Sequence, residues 1–242
     1  MAKTFKLSEY RVLCFDVYGT LIDWEKGILG ALKPLVEKTQ DRNHSPNELL
    51  KIYHRLEVAQ QQETPDLPYS KLLSIVYGQF ATELGVDQPS QAECDVFGGS
   101  VGSWPAFPDT VSALRRLSKH YKLVVLSNTD RDSFRATNAG PLQGVPFDLV
   151  ITAHDVGSYK PALRNFEYML REVKERLGFE KSQILQTAQS QLHDHHPARK
   201  MDIRSVWIER PGALMGSQEE EIYDWRFKTL GDMADSLEKE GA

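Results

Sequence analysis

The chain has little cysteine, no long apolar run and no cluster of basic residues. Two cysteines among 242 residues are too few for a disulfide framework. No window reaches the roughly 20 apolar residues of a transmembrane helix, and the N-terminal segment MAKTFKLSEYRV lacks the apolar stretch of a signal peptide. The net charge of −5 comes without a run of Lys or Arg, which disfavours nucleic acid as a partner. We therefore expect a cytoplasmic protein with neither a membrane nor a nucleic-acid partner.

Apolar runs alternate with helical patterns in the second half of the chain. Residues 122–127 and 147–152 are continuous apolar runs, typical of parallel strands that are buried on both faces. Further candidate strands lie at 11–16, 184–188 and 205–208. Helical patterns occur between them at about 109–119, 162–177 and 195–201. This alternation predicts an α/β fold with a parallel sheet and helices on both faces.

A long segment after the first predicted strand shows helical patterns only. We expect helices at about 26–38, from a cap at Ser45 or Asn47 to about 62, and at 69–84. No strand pattern appears between residues 24 and 104. Residues 24–104 are therefore expected to form a helical cap domain over one end of the sheet. Residues 1–23 and 105–242 would form the core domain, which the chain re-enters through the proline-containing linker at 102–109.

Polar residues follow several of the predicted strands at the point where each strand ends. They are Asp16 to Thr20, Ser127 to Thr129, Lys160, and Gln189 to Asp194. Ligands of open parallel sheets bind outside the carboxyl ends of the strands, so these groups are expected to share one site. A carboxylate such as Asp16 can attack carbon or phosphorus and form a covalent intermediate, although a single Asp at a strand end is more often a turn residue.

Four of these segments together resemble the motifs of the haloacid dehalogenase superfamily. FDVYGTLID at 15–23 resembles the first motif, SNT at 127–129 the second, Lys160 in SYKP the third, and AQSQLHD at 188–194 the fourth. They occur in the order that the family uses. The resemblance implies a Rossmann-like parallel-sheet core with an inserted helical cap, and it implies that Asp16 is a covalent nucleophile.

Two departures from the family pattern bear on the reaction. Phosphatases of the superfamily carry a second Asp two residues after the nucleophile, where this chain has Tyr18, and a Gly-Asp pair where it has Ala188-Gln189. Magnesium prefers carboxylate ligands, so no metal and no cofactor are expected. A halide departs as a stable anion, so its departure needs no acid to protonate it. The sequence DVYGT, with tyrosine in third place, resembles the 2-haloacid dehalogenase branch. That resemblance implies attack at the carbon alpha to a carboxylate, an ester on Asp16 and its hydrolysis by water.

The resemblance also implies a role for each site residue. Asp16 is the nucleophile, Thr20 holds it by a hydrogen bond, Lys160 keeps it ionised, and Asp194 orients the hydrolytic water or pairs with Lys160. A small carboxylate substrate would contact Val17, Tyr18, Ser127, Asn128, Arg55 and Gln191. Simpler interpretations remain open, since Ser127, Asn128 and Asp194 could be helix caps and Lys160 a surface lysine. A homodimer is among the assemblies that we expect.

The leaving-group site departs from the family pattern. Haloacid dehalogenases of this branch receive the halide with a cap arginine, and the matching position here is Ile52. Arg55, one turn further on, or Lys51 could replace it. Three alternatives to haloacid hydrolysis therefore stay open: opening of a strained ring as in azetidine-2-carboxylate hydrolases, phosphate hydrolysis, and binding without catalysis. His193, His195 and His196 are not spaced as a set of metal ligands.

Overall fold

Six parallel strands form a single sheet at the centre of the molecule. The computed structural model describes residues 5–39, 44–217 and 220–241. The strand order is β3-β2-β1-β4-β5-β6, and Val12 of β1 lies opposite Lys122 of β2 and Ile184 of β4. The strands are β1 Val12–Phe15, β2 Lys122–Ser127, β3 Leu149–Thr152, β4 Ile184–Ala188, β5 Arg204–Ile208 and β6 Trp225–Phe227. The predicted parallel α/β sheet is confirmed.

The central strand, β1, shows why the sequences of buried parallel strands are continuous apolar runs. All four residues of β1 are buried, and its side chains alternate between the two faces of the sheet. Leu13 and Phe15 join one core cluster, whereas Val12 and Cys14 join the other. Helices cover both faces: α5 Thr110–Leu117, α6 Arg131–Ala139, α7 Ala153–Val156, α8 Leu163–Leu177, α9 His196–Lys200 and α10 Leu230–Glu240.

Between β1 and α5, the described residues form helices and no strand. The helices are α1 Trp24–Val36, α2 Pro46–Glu63, α3 Tyr69–Glu83 and α4 Gln91–Gly99. Ser45, rather than Asn47, caps α2, since its side chain accepts the N–H of Glu48 while Glu48 binds back to the Ser45 N–H. We propose that residues 24–104 are a cap domain. None of the helices within the described parts of the chain is long and apolar enough to cross a membrane.

Several elements were absent from the sequence prediction. Helix α4 begins with a capping box in which Ser90 and Glu93 exchange hydrogen bonds, a pattern visible in the sequence as Ser-x-x-Glu. Helices α6 and α10 were also missed. Strand β6 has only three residues, none of them buried, so its sequence carries no apolar run. It is held by pairing with β5.

The helical segment contacts the core at several points around the carboxyl edge of the sheet. The backbone N–H of Ser70 donates to the Asp130 carboxylate at 3.0 Å, and the Tyr159 hydroxyl donates to the Leu67 carbonyl at 3.1 Å. The Trp104 ring meets the edge of Tyr18 at a centroid distance of 5.6 Å. These contacts place α2 and α3 over the strand ends.

Two adjacent glycines near the end of α4 test how closely α4 packs on α3. A Cβ added at Gly98 would lie 2.2 Å from the Ser70 carbonyl oxygen, whereas one added at Gly99 meets nothing within 4 Å. We expect Gly98→Ala to destabilise the protein by about 1–3 kcal/mol through overpacking. Gly99→Ala should be neutral or stabilising by up to about 1 kcal/mol. Urea unfolding of both variants measures the difference, and equal effects would contradict this packing.

Candidate active site

A buried ammonium group joins two carboxylates at the carboxyl edge of the sheet. Asp16 follows β1, Asp194 lies after β4, and Lys160 lies in the loop between α7 and α8. The Lys160 Nζ atom is 2.9 Å from Asp16 Oδ1 and 2.7 Å from Asp194 Oδ1. The three residues are at least 93% buried. Lys160 is therefore not a surface lysine, and the structure brings together three of the four residues predicted to be catalytic.

The opposite charges in this triad stabilise one another. Burial alone lowers the pKa of Lys160, but Asp16 and Asp194 more than offset that effect, so that its pKa is raised and the ammonium stays charged. Burial raises the pKa of Asp194 although Lys160 opposes the shift. Gln186 donates to the same Asp194 oxygen at 2.9 Å. The other oxygen, Oδ2, is buried without a hydrogen-bond partner among the described residues.

Thr20 fixes the second oxygen of Asp16. Its hydroxyl donates to Asp16 Oδ2 at 2.6 Å and accepts the backbone N–H of Gln189 at 2.9 Å. The turn that places Thr20 is built on the Val17 carbonyl, which accepts the N–H groups of Thr20 and the two residues after it. Gly19, within the turn, has φ of +101°, a region that favours glycine. Val17 thus shapes the loop, and its buried side chain is not among the cavity-lining residues.

Ser127 and Asn128, at the end of β2, have different tasks. Asn128 donates to the Lys160 carbonyl at 3.0 Å and accepts the Lys160 N–H at 2.7 Å, so its amide positions the lysine backbone. The buried Ser127 hydroxyl lines the cavity and has no partner among the described residues, which leaves it free to bind a substrate. Neither residue caps α6, because Asp130 does so.

The fourth motif forms a single π-helical turn, Gln191–His195. The turn directs Asp194 toward Lys160, so Asp194 is not a helix cap. The Gln191 amide donates to the Glu220 carbonyl at 3.4 Å and lies outside the cavity lining; Gln189 lines the cavity instead. Burial lowers the pKa of His193 and of His195 to about 4. Among the described residues, no group of three His, Cys, Asp or Glu side chains could hold a metal ion.

A cavity of about 210 Å³ lies between the triad and the helical segment. From the core it is lined by Asp16, Tyr18, Ser127, Asn128, Lys160, Gln189, Ser190, Leu192, His193, Asp194, Met215, Gly216 and Ser217. From residues 24–104 it is lined by Trp24, His54, Glu57, Val58, Gln61, Tyr69 and Trp104. Its size suits a small molecule. The Tyr18 hydroxyl is turned to Thr137 at 2.9 Å, and its ring contributes to the wall.

The structure corrects the expectation for Arg55. This side chain is 58% exposed and pairs with Glu83 at 2.8 Å, and neither it nor Lys51 lines the cavity. The helix phase is the reason, since successive residues of α2 are rotated by about 100°. The side that faces the cavity carries His54, Glu57, Val58 and Gln61, which are spaced i, i+3, i+4 and i+7. That spacing was visible in the sequence but was overlooked.

The donor set does not fit magnesium. A magnesium site needs free carboxylate oxygens, but both Asp16 oxygens and one Asp194 oxygen already accept hydrogen bonds. The Lys160 ammonium already compensates both carboxylates. Tyr18 and Gln189 supply no further carboxylate at this edge of the sheet.

The fold and the site together define the class of protein. It is an α/β protein with an aspartate directly after its first strand and a buried lysine bonded to that aspartate. The chain belongs to the haloacid dehalogenase-like hydrolase family, which its residues 10–185 match. The predicted membership of this superfamily is confirmed. A comparison with curated proteins gives no match.

Solved structures of this fold include several dehalogenases. A defluorinating L-2-haloacid dehalogenase is 18% identical, with a TM-score of 0.76 over 98% of this chain and 100% of its own. The L-2-haloacid dehalogenase of Xanthobacter autotrophicus with covalently bound chloropropionic acid is 16% identical, with a TM-score of 0.76 over 95% and 98%. A magnesium-bound HAD-hydrolase from Bacillus subtilis is also 16% identical, with a TM-score of 0.70 over 95% and 99%. At these identities the likeness shows the fold alone.

Replacing the central lysine tests the triad. We expect Lys160→Met to destabilise the protein by about 3–5 kcal/mol at neutral pH, because it leaves two buried carboxylates without their shared cation. The exposed pair between Lys122 and Asp148, at 2.8 Å, offers a matched control, and Lys122→Met should cost less than about 1 kcal/mol. Urea unfolding measures both. Equal, small effects would mean that Lys160 does not compensate Asp16 and Asp194.

Proposed function

We propose that this hydrolase displaces a leaving group from the carbon alpha to a carboxylate, through a covalent ester on Asp16 and without a metal. The observation that carries the proposal is the hydrogen-bonded triad of Asp16, Lys160 and Asp194. A carboxylate bonded to a buried ammonium, with Thr20 fixing its other oxygen, is an oriented nucleophile. It lies in a cavity lined largely by aromatic and polar side chains.

In the first step a carboxylate oxygen of Asp16 forms a bond to the substrate carbon. The bond between that carbon and the leaving group breaks, and the leaving group keeps the electron pair. A halide leaves as a stable anion and needs no proton. The chain accordingly has Tyr18, rather than an acid, two residues after the nucleophile.

In the second step water attacks the carboxyl carbon of the ester and restores Asp16. Asp194 suits the role of general base because burial raises its pKa and its Oδ2 atom has no partner among the described residues. Lys160 contacts Asp16 Oδ1 and Thr20 contacts Asp16 Oδ2. Whichever oxygen remains the ester carbonyl therefore has a donor that stabilises the negative charge developing on it. Hydrolysis then releases a 2-hydroxy acid when the leaving group is a halide.

The substrate carboxylate would meet the free hydroxyl of Ser127 and the wall formed by Tyr18. The covalent chloropropionic acid in the Xanthobacter autotrophicus enzyme of the same fold supports an ester intermediate in this one. A phosphatase is disfavoured by Tyr18 and Gln189, and a pure binding protein by the triad itself. A homodimer and a cytoplasmic location remain predictions.

Heavy-oxygen water tests the covalent step. In a single turnover of L-2-chloropropionate or azetidine-2-carboxylate, the label should enter the peptide containing Asp16, and the product should carry ordinary oxygen. Asp16→Asn should abolish turnover because an amide is a poor nucleophile. Asp23→Asn is the matched control, since Asp23 caps α1 through the Lys26 N–H and Asn caps as well as Asp. Mass spectrometry of the peptides and product reads the result.

Direct attack by water makes the opposite labelling prediction. Label in the product after one turnover, with none in the Asp16 peptide, would exclude the ester. Activity retained by Asp16→Asn would exclude Asp16 as the nucleophile.

Chelation tests the metal-free reaction. We expect turnover to survive EDTA and to gain nothing from added magnesium, because the Lys160 ammonium already compensates the carboxylates. Assays with L-2-chloropropionate, azetidine-2-carboxylate and para-nitrophenyl phosphate, each with and without magnesium, make the measurement. Hydrolysis of the phosphate ester that stops on chelation and returns with magnesium would favour the phosphatase alternative.

A further inference from the structure

A buried carboxylate of α2 faces the cavity from the side opposite the triad. Glu57 is 91% buried and lines the cavity. Its Oε1 atom accepts hydrogen bonds from the hydroxyl of Tyr53, at 3.2 Å, and from that of Tyr69. Its Oε2 atom lies 3.6 Å from His54 Nδ1. Both tyrosine hydroxyls therefore bind the same oxygen, and among the described residues the other oxygen is paired with the His54 imidazole.

The charges that line the cavity do not favour an anion at the end that holds Glu57. Among the described lining residues, Asp16, Glu57 and Asp194 carry carboxylates, whereas Lys160 is the one Lys or Arg. Lys160 is already bonded to Asp16 and Asp194. Glu57 is paired with His54 and accepts two tyrosine hydroxyls. A halide leaving toward this carboxylate would be repelled by it, whereas a cation would be attracted.

Aromatic rings complete the surroundings of this carboxylate. Trp24, Tyr69 and Trp104 line the same cavity, and the Trp24 and Tyr53 rings lie 6.2 Å apart. Aromatic faces attract cations, most strongly when water is excluded. A carboxylate in a cavity that is also lined by indole rings is therefore a chemical match for an ammonium group. Such a group would add to the partners that Glu57 already has in His54 and the two tyrosine hydroxyls.

We propose that Glu57, with Tyr53, Tyr69 and Trp24, forms a subsite for an ammonium group, so that the preferred substrate is a small carboxylate that also carries a protonated amine. The inference rests on the proposed function only in taking the cavity above Asp16 as the substrate site. It explains why no arginine is present among the described lining residues: the group received at this end of the cavity is a cation.

The experiment compares three ligands of similar length that have no leaving group. They are 4-aminobutanoate, with an ammonium end, pentanoate, with a methyl end, and glutarate, with a second carboxylate. Calorimetry on the native protein should give the tightest binding for 4-aminobutanoate and the weakest for glutarate. Glu57→Gln keeps the shape but removes the charge, and it should weaken 4-aminobutanoate about tenfold or more while leaving pentanoate nearly unchanged.

Glu83→Gln is the matched control, because Glu83 is a half-exposed carboxylate of α3 that pairs with Arg55 outside the cavity. It should leave all three affinities unchanged. Equal or tighter binding of pentanoate or glutarate by the native protein would overturn the subsite, even if Glu57→Gln fails to fold. So would an unchanged preference in Glu57→Gln, or no measurable binding of the amine. Because these ligands cannot react, their binding is independent of whether Asp16 forms an ester.

Discussion

The buried ion triad of Lys160, Asp16 and Asp194 is the interaction on which the rest of the site depends. Charges withdrawn from water are costly unless they are paired with good geometry, and here one ammonium serves two carboxylates. The loop carrying Lys160 is held by the Asn128 side chain through two hydrogen bonds. The second strand, the loop before α8 and the π-helical turn are thereby fixed relative to one another around Asp16.

The same ammonium decides what chemistry the site can support. It bonds one oxygen of each carboxylate and so places a positive charge directly beside Asp16. Thr20 orients the remaining Asp16 oxygen. Because the Lys160 ammonium is bonded to both carboxylates of the triad, the other groups that line the cavity include the Ser127 hydroxyl, aromatic rings and the Glu57 carboxylate.

Much of this arrangement could be predicted from sequence, because its signals are local. Apolar runs predicted β1, β2 and β3, since parallel strands covered on both faces are buried along their length, and weaker patterns at 184–188 and 205–208 predicted β4 and β5. The sixth, β6, has no buried residue and depends on its pairing with β5, which no local pattern records. The motifs after β1, β2 and β4 converge because the carboxyl ends of parallel strands share one edge. Gln191 was misplaced because the turn that carries it is π-helical.

The sequence by itself determined the parallel α/β fold, the family, and the grouping of Asp16, Thr20, Lys160 and Asp194, because short motifs at strand ends carry that information. Only the tertiary structure decided which face of α2 lines the cavity. Successive side chains along a helix are rotated by about 100°. A shift of one or two residues in the register assumed for α2 therefore assigns an exposed side chain to the cavity in place of one that lines it. Arg55 consequently pairs with Glu83 outside the cavity, and Glu57 lines it.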